Sequence, residues 1–220
     1  MTGAGPDAPV PTCPKWTVSR LVGHLGRVHS MVREAVAHPD AGKVSPEPAP
    51  DGWDAVLAWQ QAKSAAMLDA LGAGPDVPAW LPFPGYAKTT GSWARRQAHE
   101  CAIHRLDADA ANGGGTPPFD PAFAADGTDE MLTSLLPFRA WADSAATGSV
   151  LVHAADAGRV WTLELRSGVR PVVADGTSAT FDADVTIAGT ADAVYRRLWG
   201  RPSAASVIGD ASLLEPLAAP

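Results

Sequence analysis

At 220 residues the chain is long enough for one large or two small domains, and its net charge of −7 leaves no basic stripe to neutralise phosphates, which argues against nucleic acid as a partner. The tract Met-Thr-Gly-Ala-Gly-Pro-Asp-Ala-Pro-Val-Pro lacks the basic and apolar regions of a signal peptide, and no apolar run is long enough to span a bilayer, so a cytoplasmic protein with no membrane partner is expected. Cys13 and Cys101 do not make a disulfide framework, and Cys101 reads as a small core residue.

The first helix is expected over 17–38, with Thr17 as N-cap and Pro14 in the lead-in. Leu21, Val28, Met31 and Ala35 recur with His24 at spacings of three and four, the core stripe of an amphipathic helix. Ser19, Arg20, Arg27, Ser30, Arg33 and Glu34 are assigned mostly to the other face. A proline-rich linker over 39–50 leads to a second helix over 53–71, stopped by Gly72-Ala-Gly-Pro. The loop over 75–90 carries Trp80, Phe83 and Tyr86, either as substrate walls or as a cover on the core. A third helix is expected over 92–111, ended by Asn112-Gly-Gly-Gly, and a fourth over about 126–144, kinked at Pro137.

The period changes after Gly148. Segments 150–154 and 159–166 read as strands, the second alternating Trp161, Leu163 and Leu165 with polar residues. Two more strands are expected over 170–174 and 183–188. A helix over 190–199 with Thr190 as N-cap follows, then a short final helix over 210–217. Helices first and strands later define an α+β chain of two lobes: a helical domain over 1–146 and a small α+β domain over 147–220.

The chemistry concentrates in the third helix. Glu100 and His104 are four residues apart, which on a helix stacks both side chains on one face about one turn apart. Glu-x-x-x-His alone is a weak signal, since it also arises as a solvated pair. His24 alone is more simply a buried neutral histidine. Together, two imidazoles and one carboxylate from two helices suit a divalent cation with one open position. Asp107 either orients the His104 imidazole or is a surface acid paired with Arg105. Arg95, Arg96 and Arg105 read as a solvated face. His99 lies about 100° round the helix from Glu100. Neither it nor His29, His38 or His153 is assigned to the metal.

Four segments resemble the mycothiol-dependent maleylpyruvate isomerase family. They are Pro11-Thr-Cys-Pro-Lys-Trp-Thr-Val-Ser-Arg-Leu-Val-Gly-His24, Arg95-Arg-Gln-Ala-His-Glu-Cys-Ala-Ile-His-Arg-Leu-Asp107, Phe119-Asp-Pro-Ala-Phe-Ala-Ala-Asp-Gly127, and Asp184-Val-Thr-Ile-Ala-Gly with Leu198-Trp-Gly-Arg201. The resemblance implies a DinB-like metal-binding domain of four-helix-bundle type followed by a domain similar to sterol carrier proteins. It implies the ligand set His24, Glu100 and His104, a divalent ion (zinc above all), and a C-terminal arginine active in catalysis, for which Arg201 is the candidate. Two departures stand out: family members usually carry an apolar helix before the Cys-Pro-x-Trp segment, and Lys15 replaces a usual glycine.

The resulting expectation is a metal-dependent enzyme that uses a low-molecular-weight thiol, mycothiol, as co-substrate. A thiol on such an ion loses its proton at neutral pH and can add to an activated double bond, so a small electrophilic metabolite is isomerised or S-conjugated. Arg201 would hold a carboxylate. The alternatives are a thiol-independent metal enzyme tailoring a natural product, and a non-catalytic binding protein that sequesters a small molecule. A monomer or homodimer is expected.

Overall fold

The ends of the helices are set by side-chain caps that the sequence carries in plain view. In the computed structural model, which describes residues 3–176 and 182–217, Thr17 Oγ1 accepts from the Arg20 amide at the start of α1 (Val18–Ala37). Thr89 does the same for the Ser92 amide at the start of α3 (Thr90–Ala111), and α2 (Trp53–Leu71) lies between them in sequence. These helices belong to a first unit, Met1–Thr116; a second unit spans Pro117–Pro220. The helical first part and sheet-bearing second part make the chain α+β. No helix among the described residues is long and apolar enough to cross a membrane.

In the first unit α2 packs along α1, and the approach is close enough that a methyl group on Gly26 would overlap the Trp59 indole. Val32, Ala35, Val44, Met67, Leu81 and Trp93 form the main core. Trp80, Phe83 and Tyr86 pack against it, and Trp93 Nε1–H donates to the Trp80 carbonyl at 2.7 Å. Those aromatics therefore cover the core, which is one of the two roles the loop could have had. The lead-in folds back beside the start of α1: Pro9 bridges to Thr17, the Val10 amide bonds the Trp16 carbonyl, and Val10 packs with Val18 and Leu21.

The stripe on α1 is rotated from its expected place. Leu21 and Ala35 are buried as expected, joined by Val22, His29 and Val32. Val28 and Met31 are only half-buried and line a groove together with His24. Arg20 and Arg27, expected on the opposite face, line that same groove. At 100° per residue, positions 20, 24, 27 and 31 fall within about 60° of one another, so the arginines share the His24 face.

The second unit opens with α4 (Pro121–Asp129), which continues as a π turn over Glu130–Leu135 and a 3₁₀ turn over Leu136–Phe138. The helix starts ahead of the expected position 126. Asp120 Oδ1 accepts from the Ala122 and Phe123 amides, and Pro121 occupies the first helical position, where its missing N–H costs nothing. It ends at Phe138, short of 144, through a change of helix type at Pro137. The Phe119 amide donates to Asp192 Oδ1, and Phe119 and Phe123 meet the Tyr195 ring. This packing groups α4 with the sheet, so the two compact units meet at 116/117, whereas the change of period had put the join near 146.

The sheet contains β1 (Gly148–Ala154), β2 (Arg159–Arg166), β3 (Val169–Asp175), β4 (Val185–Gly189) and β5 (Ser206–Gly209), in the order β3-β2-β1-β4-β5. Only the β1–β4 pair is parallel, with Val150 opposite Val185. Trp161, Leu163 and Leu165 are all buried, as their alternation requires. Thr190 caps α5 (Ala191–Leu198), whose Val194, Tyr195 and Leu198 complete this core. The final helix takes the 3₁₀ form over Ala211–Leu217. β5 was not foreseen: it is a short edge strand with Ile208 exposed, so it carries no burial period to read.

Candidate metal centre

Helix geometry brings three donors together. Glu100 and His104 project from one face of α3, and His24 projects towards them from α1. His24 Nε2 lies 2.8 Å from Glu100 Oε1, and His104 Nε2 lies 3.4 Å from the same oxygen. One ligand atom from each of the three residues lies within 4.8 Å of the other two. Tetrahedral ligands about 2.0–2.2 Å from a zinc ion sit roughly 3.3 Å from one another, which the 3.4 Å spacing matches, while the 2.8 Å spacing is a hydrogen bond that an ion would replace.

The surroundings fix which atoms face inward. Asp107 is fully buried, and His104 Nδ1–H donates to its Oδ2 at 2.8 Å. That bond fixes Nδ1 as the donor to Asp107 and turns Nε2 towards Glu100, so Nε2 is the nitrogen that would take a metal in place of its proton. Asp107 is in turn held by the lead-in: Thr12 Oγ1–H donates to Oδ1, and the Cys13 thiol lies 3.5 Å from Oδ2. Of the two roles open to Asp107, the structure selects the orienting one.

Arg96 is the residue that sequence reasoning misplaced. It was grouped with Arg95 and Arg105 as a solvated face, yet it is 4% exposed and its Nη2 lies 3.2 Å from Glu100 Oε2. The signal was present: Arg96 and Glu100 are four apart, on the same face as His104. Trp16 was also missed. Its indole stacks on the His104 ring at 5.6 Å between centroids and tilts against His24 at 4.8 Å, forming a flat wall beside the donors.

Charge follows from this packing. Burial acts to raise the Glu100 pKa, but hydrogen bonds from His104 and His24 and the Arg96 charge outweigh it, and the carboxyl is held far below the ordinary range. For His104 burial acts to lower the pKa, but the bonds to Asp107 and Glu100 prevail and raise it. Burial keeps His29 low and pushes the Cys101 thiol up, so neither supplies charge to the centre. Cys101 Sγ lies 3.7 Å from His29 Nε2.

The donors fit a divalent ion: one ionised carboxylate oxygen, two imidazole nitrogens, one with its tautomer fixed by a buried carboxylate, and no fourth acidic, histidine or cysteine group in the cluster among the described residues. A groove of about 750 Å³ reaches His24 and Trp16 along the exposed face of α1. Arg201 lies in the second unit, in the turn after α5, where its Nη1–H donates to the Trp199 carbonyl.

The helical unit thus carries three donors placed to share one ion, with a groove beside His24. A family model described as the mycothiol maleylpyruvate isomerase N-terminal domain matches residues 1–109. That part of the chain belongs to this family. No curated protein matches the chain.

Proposed function

We propose that the protein is a divalent-metal enzyme that uses a low-molecular-weight thiol, mycothiol above all, to isomerise or S-conjugate a small electrophilic metabolite. The observation that carries this reading is the convergence of His24 Nε2, Glu100 Oε1 and His104 Nε2 with an orienting carboxylate behind His104. The family of residues 1–109 supports the thiol. A zinc ion held by these donors would supply the positive charge that keeps a thiol deprotonated at neutral pH.

The protein's own groups have definite parts in this scheme. Arg96 holds one oxygen of Glu100, so that the other faces the histidines. Asp107 holds the His104 ring and its tautomer. Trp16 presents an apolar face beside the donors and shields that side from water. Arg201 is proposed as the group that receives a substrate carboxylate, and its part rests on the family resemblance of the Leu198-Trp-Gly-Arg201 turn. The C-terminal unit is proposed to be of sterol-carrier type.

Elemental analysis of the purified protein, followed by Glu100→Ala and His104→Ala, tests the scheme. The expected result is a stoichiometric divalent ion lost from both variants, together with thiol-dependent turnover of an electrophile panel, in chains that remain folded. Turnover by the metal-loaded protein that is indifferent to mycothiol would point to thiol-independent tailoring. Ligand binding without turnover would point to a sequestering protein.

A further inference from the structure

Between α1 and α3 the structure buries polar groups that the metal scheme does not use. Gln97 of α3 is 4% exposed and His29 of α1 is 2% exposed. Both amide atoms of Gln97, Oε1 and Nε2, and the Nδ1 atom of His29 are enclosed without a hydrogen-bond partner among the described residues. The two side chains belong to one interface: Cys101 Sγ lies 3.7 Å from His29 Nε2, and Gln97 stands one turn before Cys101 on the same face of α3. The donors are close by on both helices, His24 five residues before His29 and Glu100 three residues after Gln97.

A buried amide left unpaired is costly, and protein interiors pair nearly all such groups with other protein atoms or with ordered water. The chemistry of the three atoms narrows the occupant. Gln97 Oε1 accepts, Gln97 Nε2 donates, and a neutral imidazole does one or the other at Nδ1. Neither side chain brings charge, so a neutral molecule that both donates and accepts suits them better than an ion. A buried water makes about three hydrogen bonds, as many as the atoms present here.

We propose that Gln97 and His29 hold buried water between α1 and α3, and that this hydrated bridge sets the separation of the two helices at the level of the donors. Gln97 and His29 are then positioning residues: they act on His24 and Glu100 through the helix spacing and touch no reactant. The hydration stands by itself, whereas the positioning role rests on the metal-enzyme reading.

Water-to-protein ROE spectra of the isotope-labelled, metal-free full chain test the hydration directly. Dipolar cross-peaks from water to the Gln97 side-chain amide are expected, and their absence overturns the proposal. This readout needs no variant, so it decides even where a substitution prevents folding. Gln97→Met keeps the side-chain length and removes both amide atoms. With water bound, the substitution strands His29 Nδ1 and lowers the melting temperature by roughly 2–4 °C. In a dry interface the same substitution removes an unpaired amide, so a raised melting temperature also overturns the proposal. The positioning role is read at the metal: zinc affinity in chelator competition is expected to be about tenfold weaker in Gln97→Met, with shifted visible bands in the cobalt-loaded protein. Unchanged zinc affinity and unchanged bands overturn that role. Failure of the metal reading is separate: it registers as wild type that binds no zinc and removes the positioning role, while the ROE and melting readouts still decide the hydration.

Discussion

Arg96 and Glu100 divide one carboxylate between two tasks: Oε2 faces the Arg96 guanidinium at 3.2 Å, and Oε1 faces the two histidines. Both residues come from one face of α3, so the helix itself sets the division. Replacing Arg96 by Met removes the group that restrains Glu100. Zinc affinity is expected to fall by roughly tenfold or more in chelator competition. The metal-free variant is also expected to lose about 2–3 kcal/mol of stability in urea, because a mostly buried carboxylate loses its cation. Unchanged zinc affinity would remove Arg96 from the centre.

Asp107 stands one step behind His104, and Thr12 stands one step behind Asp107. Asp107→Ala is expected to weaken zinc binding by about 10–100-fold, and Thr12→Val by less. Thr12→Ser restores the hydroxyl and should recover wild-type affinity. Visible spectra of the cobalt-loaded protein check this: a shift in Asp107→Ala but not in Thr12→Ser is the expected pattern. Identical spectra and affinities across the series would reduce Asp107 to a packing residue.

Gly26 of α1 faces the Trp59 ring of α2. Alanine has the better helix propensity by about 1 kcal/mol, so in an exposed helix Gly26→Ala would stabilise. Here the added methyl overlaps the indole, and overpacking of this kind costs roughly 1–3 kcal/mol. A lower midpoint of urea unfolding is expected; a higher one would mean that Trp59 moves aside freely.

Asp184 ties the start of β4 to β1. Its Oδ2 accepts from the Ser149 amide at 2.7 Å and from the Ser149 hydroxyl at 2.8 Å, and these bonds hold its carboxyl below the ordinary carboxylate pKa. A depressed folded pKa contributes stability that is present above the unfolded value near 3.9 and is lost as the pH falls through the folded value. Ser149→Ala removes one of the two bonds, so the Asp184 pKa should rise towards its ordinary value in a proton NMR titration. The acid limb of the stability curve should flatten at the same time. An unmoved Asp184 titration would show that the amide bond alone sets it.

Part of the donor cluster was legible from helical period: the spacing of four stacks Glu100 and His104 on one face of α3, while His24, expected on the core stripe of α1, lies on its groove side. The caps at Thr17 and Thr190 were legible for the same reason: they are local. What failed was the environment of each side. Arg96 is charged, and a charged residue next to Arg95 reads as surface until a buried carboxylate is known to face it. Arg20 and Arg27 were set opposite His24 although their spacing puts them beside it. The start of α4 lies ahead of position 126 because Asp120-Pro121 is an N-cap followed by a first-turn proline, a local signal outside the apolar period. Its membership of the second unit depends on Phe119 and Phe123 meeting Tyr195, a pairing with no local trace.

Residues 9–17 work as a strap. Their backbone joins α1, while Thr12 and Cys13 are fastened to a carboxylate near the far end of α3. Seating the strap and seating the His104 ring are therefore one equilibrium. An ion that immobilises the imidazole also immobilises the strap, and amide exchange at 10–16 becomes a gauge of whether the centre is loaded.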